Sequence, residues 1–163
     1  SIDYSKRRME VWKRETKRMG TKIAVPILAD ARKPLPIKNS ADLVILDPPC
    51  TSTGVFSKVP SAKWRLTRRS MLGMARIQWE MLNQCAEHVK EGGYLIYSTC
   101  SITLEENEML IESFLKWHPE FTLVEASPRI GLPGSRGQAK CQRLYPHLHG
   151  CNGFFVARFL REA

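Results

Sequence analysis

The sequence of 163 residues lacks the features that mark membrane, secreted or metal-binding proteins. Its longest apolar runs have the length of a strand, which is too short for a membrane-spanning helix. No signal pattern of basic, apolar and small residues opens it. The five cysteines include no Cys-x-x-Cys pair and no Cys/His spacing typical of a zinc site or a disulfide framework. These absences predict a cytoplasmic protein with no metal site and no membrane association.

Acidic residues are scarce relative to basic ones. The sequence has 16 Asp and Glu but 25 Lys and Arg, so its formal net charge is +9, which predicts a polyanionic partner. One basic cluster surrounds a tryptophan in a turn-rich segment, and this combination is typical of proteins that bind a nucleic-acid strand. Solvated helix faces are the alternative interpretation of the basic clusters. The predicted RNA-contacting residues are Lys58, Lys63, Trp64 and Arg65.

Hydrophobic periodicity divides the sequence into alternating helices and strands within one predicted domain, residues 1–163. The predicted helices cover residues 3–19, 70–90 and 103–117. The predicted strands cover residues 22–28, 41–46, 94–99, 121–125 and 154–160. This alternation predicts an α/β fold with a largely parallel sheet.

Polar or reactive side chains follow three of the predicted strands where each strand ends. Asp30 follows the first, Asp47 and Cys50 follow the second, and Cys100 follows the third. Ligands of open α/β sheets bind beyond the carboxyl ends of the strands. We therefore expect these four side chains to converge on one edge of the sheet.

The stretch DPPCTSTG, Asp47 to Gly54, joins a buried strand to a rigid turn. Its two prolines each fix φ at about −65° and together remove two backbone donors. The turn should therefore hold Asp47 and Cys50 in set directions. A stiff turn with an incidental thiol is the alternative interpretation.

A second thiol, Cys100, ends the strand at residues 94–99 and has the polar neighbours Ser98 and Ser101. Backbone amides at the start of the following helix can stabilise a thiolate there and lower its pKa. Cys85 differs, because it lies on the apolar face of a long predicted helix. We interpret Cys85 as an inert core residue, which is the usual environment of a lone cysteine.

Two thiols at neighbouring strand ends favour covalent catalysis on an electrophilic ring. The C5 carbon of a pyrimidine is a poor nucleophile, but addition of a thiolate at C6 enables C5 to attack an electrophilic methyl group. A base must then remove the C5 proton so that the thiolate can leave. One nucleophilic thiol, a second group for release and an acid near the ring satisfy this cycle.

At these residues the sequence resembles the RNA (cytosine-5) methyltransferases of the NOL1/NOP2/Sun family, which include Fmu-like ribosomal RNA enzymes. The family's motif IV is matched by Asp47 to Gly54, and its motif VI (Ser-Thr-Cys-Ser) by Ser98 to Ser101. Ser57 to Arg65 and Gln142 to Phe159 also match, so the resemblance covers essentially the whole chain. It implies a Rossmann-like fold and methylation of cytosine C5 in tRNA or rRNA, with S-adenosyl-L-methionine as cofactor.

The resemblance also implies roles for individual residues. Cys100 would attack cytosine C6, and Cys50 would assist release of the methylated product. Asp47 would lie between the cofactor and the edge of the cytosine. Asp30 would contact the adenine side of the cofactor and Asp3 its ribose hydroxyls, although both acids are also typical of a helix N-cap or a turn.

The sequence departs from the family in one feature. The family's Gly-rich cofactor loop and the strand before it have no counterpart in these residues. We therefore expect the C-terminal part of a catalytic domain, which binds the cofactor weakly or not at all because a backbone cradle is missing. Without that first strand, an apolar sheet edge should also be exposed.

The sequence leaves two other functions open. The chain could be a non-catalytic RNA-binding fragment, as the missing cofactor loop suggests. It could also belong to an exocyclic amine methyltransferase, whose Asp/Asn-Pro-Pro-aromatic motif resembles residues 47–50. Cys50 offers no aromatic face for stacking on a base, and the second thiol would then have no task.

Overall fold

The computed structural model describes residues 1–38 and 40–163. The strands are β1 (Ile2–Asp3), β2 (Ile27–Leu28), β3 (Ala41–Leu46), β4 (Val89–Thr99), β5 (Phe121–Val124), β6 (Leu132–Pro133), β7 (Gln142–Leu144) and β8 (Phe154–Arg161). The helices are α1 (Lys6–Arg18), α2 (Arg68–Ala86), α3 (Glu108–Trp117) and α4 (Pro146–His149). Two short 3₁₀ helices, Thr53–Val55 and Pro60–Arg65, lie between β3 and α2.

These strands form two sheets. β1 and β2 pair in parallel as a small sheet. The larger sheet has six strands in the order β3-β4-β8-β7-β6, with β5 also paired to β8. Its β3–β4 pair is parallel, and its other pairs are antiparallel. The predicted α/β class is confirmed, and the sheet is mixed rather than largely parallel.

The mixed sheet follows from the lengths of the connections. A parallel pair needs a long crossover connection, which α2 provides between β3 and β4. β8 instead follows β7 through a short connection that contains α4, and strands joined in this way run antiparallel. The pattern of helices and strands therefore predicts the two strands that carry the thiols better than it predicts the C-terminal half.

Four predicted elements differ from the structure by four or more residues at one end. The helix predicted over residues 70–90 ends at Ala86, and its last two predicted residues belong to β4. The helix predicted to start at Thr103 begins at Glu108, because the Thr103 hydroxyl donates to the Glu106 carboxylate, 2.9 Å away, instead of capping the helix. The strand predicted over residues 22–28 is limited to β2, since its partner β1 has two residues. β4 begins at Val89 rather than at Tyr94, and its positive-φ Gly92 (φ +73°) belongs to an irregularity within the strand.

The hydrophobic core lies between the central strands β4 and β8 and the helices α2 and α3. Phe114 of α3 packs its ring 4.9 Å from that of Phe159 and 5.4 Å from that of Phe121, measured between centroids. Full burial of one such side chain stabilises a fold by about 1.5–3 kcal/mol. The core therefore fixes β4, whose carboxyl end carries Cys100. Other fully buried side chains are Leu82, Leu95, Tyr97, Ile111 and Phe155.

β3 is an edge strand of the larger sheet and carries exposed apolar side chains. Leu43 is 49% exposed and Ile45 is 63% exposed. An exposed apolar edge, which the sequence predicts, is therefore present beside the thiol-bearing turn. Among the described helices, none combines the length and apolar content that crossing a membrane requires.

Candidate active site

The first thiol lies in a rigid turn that begins where β3 ends at Leu46. Pro48 is buried, and the carbonyl of Pro49 accepts a 2.9 Å hydrogen bond from Gln78 Nε2 of α2. Neither proline has an N–H, so the chain cannot continue the strand ladder or enter a helix here. The turn is thus anchored to α2 and presents Cys50 at the carboxyl edge of the sheet.

The second thiol lies beside the first, because β3 and β4 are parallel neighbours that end at the same edge. β4 ends at Thr99, and Cys100 follows it. The Sγ atoms of Cys50 and Cys100 are 3.2 Å apart. This distance suits a hydrogen bond between the sulfurs and exceeds the about 2.05 Å of a disulfide. Both cysteines are free and half-buried, so the predicted convergence of the two thiols is present.

A close contact between backbones holds the two thiol loops together. Gly54 donates its N–H to the carbonyl of Cys100 at 2.9 Å, and its own carbonyl accepts from Gly153 N at 2.8 Å. A Cβ on Gly54 would lie 2.5 Å from the Gly153 oxygen and 2.7 Å from the Cys100 oxygen. Glycine is therefore required at position 54, and the loop before β8 forms part of the site.

Ser52 is a site residue that sequence patterns did not identify. It has a left-handed backbone conformation (φ 56°, ψ 31°), which is uncommon outside glycine and typical of a tight turn. Its Oγ atom lies 3.6 Å from Cys100 Sγ and 3.9 Å from Cys50 Sγ. The Ser52 hydroxyl can therefore donate to a thiolate at either sulfur. In the sequence, its position between the Pro-Pro turn and Gly54 was the feature that could have identified Ser52 as a site residue.

The two thiols differ in acidity because they share a hydrogen bond. The bond from Cys50 lowers the pKa of Cys100 to about 6, although burial acts in the opposite direction. The same bond raises the pKa of Cys50 far above its usual value, and burial raises it further. At neutral pH Cys100 is therefore the thiolate and Cys50 its protonated partner.

Asp47 immediately follows β3 on the same edge. Although the residue is exposed, partial loss of solvent around its carboxylate raises its pKa. Its negative charge also raises the pKa of Cys100, opposing the effect of Cys50. The Asp47 carboxylate is thus close enough to influence the acidity of the Cys100 thiol.

Asp3 and Asp30 lie at or just past the carboxyl ends of β1 and β2, and both are paired with arginines. Asp3 binds Arg8 through two 2.8 Å hydrogen bonds and accepts a 2.7 Å bond from Ser5 N. Asp30 binds the guanidinium of Arg32, which lowers its pKa to about 2. Both acids therefore stabilise local turns, in agreement with the alternative interpretation from the sequence. In the described part of the chain, no three His, Cys, Asp or Glu side chains gather as metal ligands.

The predicted RNA-contacting residues lie in and next to the second 3₁₀ helix. Arg65 lines a cavity of about 350 Å³ that Cys50 also lines, so it belongs to the thiol site. Trp64 is 88% exposed, and Lys58 and Lys63 are exposed beside it. These three side chains form an outer basic and aromatic surface. The cavity wall is otherwise largely apolar, with Val55, Val59, Leu66 and Met74.

Glu106 is the second residue that the sequence analysis did not assign to the site. Its side chain is fully buried behind the thiol loops. The carboxylate accepts hydrogen bonds from the Thr51 backbone at 2.8 Å, from Gln78 Nε2 at 2.9 Å and from Ser101 Oγ at 2.6 Å. The signal available in the sequence was its place five residues after Ser101, within the acidic stretch Glu105-Glu106-Asn107-Glu108.

Comparisons with known proteins identify the family of this chain. Residues 1–160 match the family model described as 16S rRNA methyltransferase RsmB/F. The chain is 36% identical over 158 residues to a tRNA (cytosine(72)-C(5))-methyltransferase of Pyrococcus horikoshii, covering 97% of this chain and 39% of that protein. It is 34% identical over 170 residues to the 25S rRNA (cytosine-C(5))-methyltransferase nop2 of Schizosaccharomyces pombe, covering 96% and 28%.

A solved structure shows the same fold. The crystal structure of NSun6 from Pyrococcus horikoshii with SFG superposes with a TM-score of 0.89 at 35% identity, covering 99% of this chain and 41% of that one. The chain thus spans about two fifths or less of the lengths of these relatives. Since the family model matches nearly every residue, the chain belongs to the RsmB/F family of 16S rRNA methyltransferases.

Proposed function

We propose that the protein containing this chain methylates C5 of cytosine in RNA, with Cys100 as the nucleophile. The supporting observation is the 3.2 Å separation of Cys50 and Cys100 Sγ at one edge of the sheet. Relatives that are 34% and 36% identical bear the names of rRNA and tRNA cytosine-C5 methyltransferases. We further infer that the reaction takes place in the cytoplasm, where thiols remain reduced.

The proposed reaction begins with the Cys100 thiolate, whose electron pair forms a bond to cytosine C6. The C5=C6 electrons move into the ring, and C5 then gains the methyl group. S-adenosyl-L-methionine, when bound, would supply that methyl group in electrophilic form and would leave as S-adenosyl-L-homocysteine. A base next removes the C5 proton, and the C–H electrons rebuild the C5=C6 bond and expel Cys100 as a thiolate.

Cys50 is suited to removing the C5 proton, because its own pKa changes when Cys100 bonds to the cytosine. Its pKa is raised first by the hydrogen bond with Cys100 and then by burial. Once Cys100 is bonded to C6, that hydrogen bond and the thiolate charge are gone. The pKa of Cys50 then falls toward its usual range, so Cys50 can release its proton to solvent. As a thiolate it can then accept the C5 proton, directly or through water.

The residues present fit part of a cofactor site. Asp3, Asp30 and Asp47 lie at or just past the carboxyl ends of three strands, and carboxylates suit ribose hydroxyls and the adenine amine. Ribose hydroxyls would share Asp3 with Arg8, and the adenine amine would share Asp30 with Arg32. We infer that further residues of the protein supply the backbone donors for the methionine end, since these 163 residues hold no Gly-rich loop.

RNA is the proposed substrate. The exposed Trp64 can stack on a base, and Lys58, Lys63 and Arg65 carry positive charge beside it. Whether tRNA or rRNA is methylated depends on residues beyond this chain, since relatives with both substrates match it equally well. A single strand entering past Trp64 would reach Cys50 through the cavity that Arg65 lines.

The decisive experiment traps the covalent intermediate. Full-length protein is incubated with cofactor and RNA containing 5-fluorocytosine, whose C5 fluorine cannot be removed as a proton. We expect a stable protein–RNA adduct that mass spectrometry maps to Cys100, and none in Cys100→Ala. Cys85→Ala, which removes a core thiol, is the matched control and should form the adduct. An adduct that persists in Cys100→Ala would contradict the assignment.

The same system separates the alternative functions. Neither RNA binding alone nor methylation of an exocyclic amine would require the paired thiols. Digestion of methylated RNA to nucleosides should yield 5-methylcytidine. N4-methylcytidine would instead support the exocyclic amine reaction, and RNA binding without any methylated product would support the non-catalytic function.

A further inference from the structure

We propose that Glu106 is a positioning residue that fixes the spacing of the two thiols by binding the residue that follows each of them. Thr51 follows Cys50, and Ser101 follows Cys100. Both donate to the Glu106 carboxylate, so one buried group ties the two loops together. The inference extends the proposed function, since it concerns the same pair of thiols.

The hydrogen bonds of Glu106 divide between its two oxygens. Oε1 accepts from Thr51 N at 2.8 Å and from Gln78 Nε2 at 2.9 Å. Oε2 accepts from Ser101 Oγ at 2.6 Å, from Thr103 Oγ1 at 2.9 Å and from the Thr51 hydroxyl. These donors come from the turn after β3, from α2 and from the loop after β4. The carboxylate therefore joins three parts of the chain that are distant in sequence.

Helix capping does not explain this arrangement. The spacing of Thr103 and Glu106 is that of a capping box, but α3 begins later, at Glu108, with Asn107 as its N-cap. The donors Thr51 and Gln78 lie 55 and 28 residues away from Glu106 in sequence. A buried carboxylate is costly unless it is fully hydrogen-bonded, and here five donors surround it.

Gln78 extends the same network to the turn itself. Its Nε2 also donates to the Pro49 carbonyl at 2.9 Å, and its Oε1 accepts from Tyr97 OH at 3.2 Å. Tyr97 also donates to the Glu106 carbonyl at 2.7 Å. The prolines stiffen the turn that carries Cys50, and the network sets where that stiff turn lies relative to β4.

The experiment compares Glu106→Gln, Glu106→Ala and a matched control in the full-length protein. The glutamine variant keeps an oxygen for the two N–H donors, and two of the three hydroxyls can reverse and accept from its NH2 group, so most of the network persists. The alanine variant removes the network. Glu108→Gln is the control, because Glu108 is equally buried but binds Arg143 and Ser135 rather than the residues that follow the two thiols.

The first measurement is the rate of disulfide formation between Cys50 and Cys100 with diamide, which takes two electrons and two protons from the thiols and becomes the hydrazine. We expect Glu106→Ala to slow it about tenfold, and Glu106→Gln and Glu108→Gln to stay within about twofold of wild type. The second is the pH profile of Cys100 alkylation by iodoacetamide, resolved by mass spectrometry of its peptide. Its midpoint should rise toward the ordinary thiol range in Glu106→Ala.

Unchanged crosslinking and alkylation in a folded Glu106→Ala protein would overturn the inference. If Glu106→Ala does not fold, Thr51→Val serves instead, because it removes one hydroxyl link and keeps the side-chain shape. A several-fold slower crosslink in Thr51→Val supports the positioning role, and a wild-type rate refutes it. Neither measurement requires methyl transfer, so failure of the 5-fluorocytosine trap in wild type would disprove the proposed function without affecting this result.

Discussion

Two pairs of cysteines in this chain have opposite environments. Cys50 and Cys100 lie half-buried at the ends of two parallel strands, and Cys85 and Cys141 are buried in the hydrophobic core. Burial raises the pKa of Cys85 to about 11 and that of Cys141 to about 12, whereas the neighbouring thiol lowers that of Cys100 to about 6. The comparison teaches that the hydrogen bond from a neighbouring thiol, and not a smaller degree of burial alone, lowers the pKa of Cys100.

The largest predicted difference between the two pairs of cysteines is in their rates of alkylation. At pH 7 Cys100 is mostly thiolate, and Cys85 is almost entirely protonated. We expect iodoacetamide to modify Cys100 at least about a hundred times faster, since thiolate fraction outweighs the lower nucleophilicity of an acidic thiol. Because the pKa of Cys100 is lowered, its rate should be flat above about pH 7 and fall about tenfold per unit well below pH 6.

Peptide-resolved mass spectrometry after brief labelling between about pH 5 and pH 9 measures this difference. Labelling under denaturing conditions is the control, because all cysteines should then react alike. Equal labelling of Cys85 and Cys100 in the native protein at pH 7 would show that the two environments do not control reactivity.

Separating the thiol loops should have an intermediate effect. Gly54→Ala would force a Cβ against the carbonyls of Gly153 and Cys100, and such overpacking costs about 1–3 kcal/mol of folding stability. Since Gly54 N also holds the Cys100 carbonyl, we expect methyl transfer to fall by more than about tenfold in protein that remains folded.

Gly73→Ala is the matched control for Gly54→Ala. Gly73 lies within α2, and a Cβ there meets no neighbouring atom. That change should stabilise the protein by about 0.5–1 kcal/mol and leave activity unchanged. Thermal unfolding and methylation assays of both variants test the pair, and equal behaviour of the two would contradict the close contact of the loops.

Removing a core thiol should have the smallest effect on chemistry. Cys85→Ala deletes one buried sulfur, which we expect to cost about 1 kcal/mol of the free energy of unfolding through the small cavity left behind. Methyl transfer and adduct formation should stay at wild-type rates. Denaturant titration and the trapping assay measure both quantities, and a large loss of methylation in stable Cys85→Ala protein would give this thiol a functional role.

The sequence predicted the thiol pair well, because both thiols are placed by local rules. An apolar run ending at Leu46 and another ending at Thr99 are strands, and parallel neighbours end at one edge. The antiparallel C-terminal half was less predictable, because its topology depends on which strands pair with β8. No local pattern specifies that choice.

The roles of Ser52 and Glu106 could not be predicted for a similar reason. Ser52 acts through a left-handed turn conformation that serine adopts rarely. Glu106 acts through donors 28 and 55 residues away, so its role emerges only when three segments are folded together. The two thiols lie in recognisable sequence motifs. Residues that position those motifs relative to each other, such as Glu106, need not belong to any motif.

The contact between Gly54 and Gly153 also has a consequence for the order of events during synthesis. Gly153 and β8 are translated after both cysteines, and β8 lies against β4 along nearly the whole stretch that leads to Cys100. A nascent chain that has exposed β3 and β4 but not β8 would carry both sulfurs without the support that positions them. The two thiols would therefore not be held in their reactive arrangement until β8 has left the ribosome.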